Sequence, residues 1–157
     1  MEIRLFSKKR KIMKKAIFAI LISLSALTSC KMMNKGQNTE LNAAASKLSG
    51  NWELNYITGV RIAFNGLYPE SKPNININAA LNELSGNTSC NSFGSKLVVN
   101  GSKFKVDLSG PMTMKHCEGE GEMRFLEMLK KVDAYTVDGN TLTLMMGDVP
   151  AMKFTKK

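Results

Sequence analysis

Two cysteines in the second half of the chain, Cys90 and Cys117, are the side chains best suited to covalent chemistry. Joined as a disulfide, they would close a loop of about 28 residues, worth roughly 3–4 kcal/mol in the chain-entropy account. Left reduced, they would pack as two small hydrophobes. A catalytic thiol needs a base beside it, and the single histidine, His116, directly precedes Cys117. On a strand, such neighbours point to opposite faces. Met112, Met114 and His116 recur at every second position. On a strand they would share a face, and thioether with imidazole suits Cu(I). The competing reading is a core strand, because methionine also recurs at Met123, Met128, Met145, Met146 and Met152 and fills irregular cores. Glu118, Glu120 and Glu122 alternate with glycines. Carboxylates can serve acid–base chemistry or hold Ca²⁺, but a helix N-terminus favours them without any function. No GxSxG, Walker loop, CxxC or HExxH occurs. The expectation is a protein with no catalytic set and no cofactor.

The third cysteine belongs to a different chemistry. Arg4, Lys8, Lys9, Arg10, Lys11, Lys14 and Lys15 make a basic start, and Ala16 to Leu27 is an apolar run too short to span a bilayer. The run ends at Leu27-Thr28-Ser29-Cys30, which has the form of a bacterial lipoprotein box. Small residues there admit the signal peptidase, and the Cys30 thiol accepts diacylglycerol. Residues 1–29 are therefore read as a lipoprotein signal peptide, 30–46 as lipid anchor and flexible tether, and 47–157 as one domain. An acylated Cys30 cannot join a disulfide, which leaves Cys90 and Cys117 as the candidate pair. Lys31 follows Cys30 in place of aspartate, which by analogy with proteobacterial sorting favours the outer membrane. The formal charge of +9 resides mostly in the leader, so the basic balance makes no case for nucleic acid.

Period-two alternation dominates the remainder. Trp52, Leu54 and Tyr56 alternate with Glu53 and Asn55, and Trp52, the single tryptophan, is expected to plug the core. Residues 59–73, broken by Gly66, Pro69 and Pro73, read as a short strand and a loop. Arg61, Phe64, Leu67, Tyr68 and Pro69 give that loop an apolar–basic character suited to a partner or to lipid. Asn74–Asn78 is a strand with Ile75 and Ile77 inward. Hairpins are expected about Asn100-Gly101 and Asp138-Gly139, with a last strand at Ala151–Thr155. From Glu120 to Val132, apolar residues at Met123, Leu126, Leu129 and Val132, widened by Phe125 and Met128, predict one helix with a broad buried face. The fold class is α+β: about eight mainly antiparallel strands, as a barrel or strongly curved sheet, with one packed helix.

Several of these features together resemble the META domain family of bacterial lipoproteins. The carrying residues are Leu48-Ser49-Gly50-Asn51-Trp52, Ser85-Gly86 leading into Cys90-Asn91-Ser92-Phe93, Cys117 before an acidic helix start, the helix Met123–Leu129, and Gly139-Asn140-Thr141-Leu142. Two positions depart from the family pattern. Ser89 stands where a glycine is usual, and Met114 lies three residues before Cys117 in place of two. The resemblance implies a compact β domain with one helix, similar in shape to small lipoproteins that pilot secretion channels. It also implies association with envelope stress, drug tolerance or secretion, and it brings no catalytic residues. The resulting expectation is a non-enzymatic, monomeric envelope lipoprotein, anchored in the membrane at Cys30, whose domain binds another envelope component, an envelope protein partner. The alternative is a carrier of an acyl chain or small hydrophobic ligand within a β cavity.

Overall fold

The computed structural model describes residues 46–157; the leader, Cys30 and nearly all of the tether lie outside the described residues. The described part falls in the compact unit Glu40–Lys157. Eight strands run β1 (Gly50–Ile57), β2 (Asn74–Asn78), β3 (Glu83–Asn87), β4 (Ser92–Asn100), β5 (Lys103–Asp107), β6 (Ala134–Asp138), β7 (Thr141–Met146) and β8 (Val149–Lys156). Each pairs antiparallel with the next, and β8 returns to β1, so the sheet closes into a barrel with no free edge. Residues 46–48 are helical ahead of β1, and two helices lie between strands: α1 (Phe64–Leu67), between β1 and β2, and α2 (Gly121–Lys131), between β5 and β6.

Inward positions fill the barrel with side chains. Trp52, Leu54, Ile75, Phe104, Leu142 and Phe154 are all fully buried. The Trp52 indole N–H donates to the Leu48 carbonyl at 2.8 Å, so this core plug leaves no buried donor unpaired. The expected hairpins form, with Gly101 and Gly139 at positive φ in their turns.

Three expectations about the strands need correction. Tyr56 does not continue the inward series from Trp52 and Leu54. Leu54 pairs with Phe154 and Tyr56 with Lys153, so Asn55 is an extra residue in β1. That bulge reverses the alternation: Tyr56 is 43% exposed and Ile57 is buried. Residues 59–73 contain no strand, only the single turn of α1. Residues 113–117 are not a strand either; Met112 alone pairs, as a bridge to Phe93.

Helix α2 is held by its buried face. Gly121, Phe125 and Leu129 are buried along it, and Val132 follows just beyond its end. The Phe125 ring meets Phe93 edge-on, with centroids 6.1 Å apart. Met123, expected inward, is 49% exposed, because Phe125 and Leu129 define a core face from which it is rotated away. The helix interrupts the sheet at its narrowest seam: β5 and β6 share only the pair Lys103–Ala134. Backbone bonds from Phe104 to Asp133 and from Tyr135 to Ser102, both 2.9 Å, reinforce that seam.

Gly86 on β3 marks a close approach. A Cβ there would collide with the Asn74 carbonyl oxygen and press to 3.1 Å on the Phe93 ring. Gly86→Ala is expected to destabilise the domain by roughly 1–3 kcal/mol, read as a lower midpoint in urea unfolding.

Candidate functional site

The loop between β3 and β4 and the segment leading into α2 are joined covalently and by a buried polar network. Cys90 and Cys117 form a disulfide with Cα atoms 6.1 Å apart. Beside it, Asn91 is buried and Thr88 fully so. The Asn91 amide nitrogen donates to the Lys115 carbonyl and to Glu122 Oε2, each at 3.0 Å. Its amide oxygen accepts from Thr113 Oγ1 at 2.8 Å and from the Lys115 N–H at 2.7 Å. The Asn91 backbone is closed as well: its N–H donates to Thr88 Oγ1 and its carbonyl accepts from the Thr88 N–H, both at 2.9 Å. Thr88 Oγ1 in turn donates to Glu122 Oε1 at 2.9 Å. No buried side-chain nitrogen or oxygen among the described residues lacks a partner.

Glu122 therefore does more than favour the helix dipole. Its carboxylate ties the first turn of α2 to the loop before β4 through two hydrogen bonds. Glu120 instead pairs with Arg124 at 2.7 Å one turn along the helix, and Glu118 is exposed. This division of labour is not legible locally, because all three glutamates sit in one alternating Glu-Gly run. Asn91 belonged to the motif that carried the family resemblance, but its role depends on partners some twenty to thirty residues away.

The opposite flank of the α2 N-terminus is set by α1. Leu67 and Tyr68, expected as partner contacts, are 6% and 4% exposed. The Tyr68 hydroxyl donates to the Gly121 carbonyl at 3.1 Å, and its ring meets Phe64 edge-on at 5.2 Å. Burial pushes the Tyr68 phenol above its ordinary range. Gly121 has no room for a side chain, since a Cβ would lie 2.9 Å from the Tyr68 ring. Among the expected contact residues, Arg61 and Pro69 are exposed and Phe64 half-buried; Leu67 and Tyr68 are taken up in packing.

The residues considered for a metal are not on one strand face. Met112 is half-buried against the core, while Met114 is 93% exposed. His116 lies in the irregular segment before α2. Among the described residues, no three of His, Cys, Asp and Glu are grouped so as to hold a metal ion.

Between α1 and α2 runs an open groove of about 950 Å³. Its apolar lining comes from Leu67, Pro69, Leu108, Met123, Leu126 and the disulfide. Glu70, Glu118, Glu122 and Glu127 supply carboxylates, against Lys130 and the imidazole of His116. The sequence missed this surface because Met123 and Leu126 fit a wide core face equally well. A closer signal was available: the apolar arc of α2 is broader than a single contact requires.

This architecture defines the class: a closed, eight-stranded antiparallel meander whose one long described helix is fastened across the barrel by a disulfide and a buried polar cluster. The META domain family matches residues 39–157, and the chain belongs to that family. The fold is similar to an NMR structure of a protein from Burkholderia xenovorans, at 18% identity and TM-score 0.56, covering 73% of this chain and 87% of that one. It is also similar to a crystal structure of a DUF4847 family protein from Bacteroides vulgatus, at 16% identity and TM-score 0.51, covering 74% and 96% respectively. At these identities the likeness concerns the fold. No curated protein matches the chain.

Two outcomes test this description. Ser89, which stands where the family usually has glycine, has φ of 83°, a left-handed backbone that side chains resist. Ser89→Gly is expected to stabilise the domain by about 1 kcal/mol, once the greater freedom of the unfolded chain is set against the relief, measured by urea unfolding. The double variant Cys90→Ala/Cys117→Ala is expected to lose roughly 3–4 kcal/mol while keeping the native far-UV circular dichroism at low temperature.

Proposed function

We propose that this protein is a non-enzymatic, lipid-anchored component of the bacterial envelope, held at Cys30 in the outer membrane, whose META domain binds another envelope component through the groove along α2. The observation that carries the reading is the double use of α2. One side of the helix buries Phe125 and Leu129 in the core. On the other side Met123 is exposed and, with Leu126, which is half-buried and also packs against the core, lines an open groove where apolar surface meets water. A frame braced by the Cys90–Cys117 link and by the Asn91 cluster suits a binding surface, because a pre-ordered site loses less entropy on association.

The leader-like residues 1–29 and the box ending at Cys30 support the envelope placement. Roles in stress response, drug tolerance or secretion follow from the family resemblance and belong to the same reading. It is preferred to a carrier of an acyl chain or hydrophobic compound because the barrel interior is already filled by Trp52, Phe104 and Phe154.

Site-specific photo-crosslinking in intact cells tests it. A photoreactive residue in place of Met123 is expected to give a discrete crosslinked product. The same residue in place of Val98, which is 63% exposed on β4, is expected to give none. Equal products from both positions, or none from Met123, would overturn the assignment of the groove.

A further inference from the structure

We propose that the groove along α2 receives a basic, amphipathic polypeptide segment, with apolar side chains laid on Met123 and Leu126 and cationic ones directed to Glu70 and Glu118. This rests on the groove being the binding surface, and it adds the chemistry of the occupant.

The carboxylates of the groove are not equivalent. Glu122 is consumed by Thr88 and Asn91, and Glu127 lies 3.6 Å from Arg124. Glu70 and Glu118 form no ion pair or side-chain hydrogen bond among the described residues, and they line the same groove. They come from different elements: Glu70 from the loop after α1, Glu118 from the segment before α2. Two unpaired carboxylates thus flank an apolar floor, with Lys130 as the one lysine in the groove lining, an arrangement complementary to cations set beside hydrophobic side chains.

The shape favours a polypeptide. Met123, Leu126, Glu127 and Lys130 fall at the three- and four-residue spacings that place them along one side of α2. At 1.5 Å per residue, that side runs for about 10 Å, and the groove is open along it. An apolar stripe ending in charge is the surface that an amphipathic segment covers in groove-type recognition. The same carboxylates repel an anionic lipid surface, which argues against the groove lying on the membrane.

Titration of the purified, ¹⁵N-labelled protein with three synthetic peptides tests the proposal: lysine–leucine, glutamate–leucine of the same pattern, and lysine–serine. The lysine–leucine peptide is expected to shift the amide signals of Glu118, Met123 and Leu126 and to bind more tightly than either other peptide. Glu70→Gln/Glu118→Gln, both exposed changes, is expected to weaken it by roughly fivefold, and added salt to weaken it further. Equal binding of the glutamate peptide at those signals, or indifference to the double variant, overturns the charge assignment but leaves the groove as a docking surface. Dodecylammonium shifting these signals while the peptides do not overturns the polypeptide occupant. Shifts confined to the far side of the barrel, together with no crosslink from Met123, overturn the groove itself.

Discussion

A buried primary amide has two donors and an acceptor oxygen to satisfy, and at Asn91 every one of them is met across a single junction. Its partners belong to Thr113, Lys115 and Glu122, and its backbone is closed on Thr88. An unpaired buried polar group costs about 1–3 kcal/mol, so the surrounding chain has little freedom to adopt another path. Thr113 and Lys115 lie in a stretch without regular structure. The side chain of Asn91 supplies the hydrogen bonds that a neighbouring strand would otherwise offer it.

The rest of the junction follows from that constraint. The chain from Pro111 to Cys117 is laid beside β4 by the Gly94–Pro111 and Thr113–Ser92 backbone bonds, by the Asn91 amide and finally by the disulfide. Glu122 then brings α2 in at a fixed point, with Tyr68 and Gly121 closing the other flank. These contacts act together: the covalent link limits the unfolded chain, while the polar cluster defines one geometry in the folded one. A helix secured at its first turn can seat Phe125 and Leu129 in the core, hold Leu126 half-buried at the groove edge and still present Met123 outward.

The barrel itself says little about biochemical role. A meander closed from β1 to β8 removes its own edges, and its interior is filled by side chains such as Trp52, Phe104 and Phe154. Folds of this kind host unrelated activities, and the proposed function rests on the groove and its charges.

Much of the architecture was legible from local pattern. Period-two alternation located strands such as Asn74–Asn78 because isoleucine and asparagine divide cleanly between two faces, and Gly101 and Gly139 marked turns that need positive φ. Trp52 announced a core plug, and the helical spacing from Glu120 to Val132 announced α2. Tyr56 was misplaced because one bulged residue reverses a two-residue period, and nothing local reveals an insertion that exists only against β8. Leu67 and Tyr68 were misplaced because a short apolar stretch between glycine and proline looks the same whether it packs inward or waits for a partner. The sequence by itself determined most of the strands, the long helix, their order and the family, since these depend on neighbours a few residues apart. Tertiary structure alone decided which glutamate became a brace, which apolar face of α2 stayed open and what Asn91 was for, because each of those depends on groups brought together from distant parts of the chain.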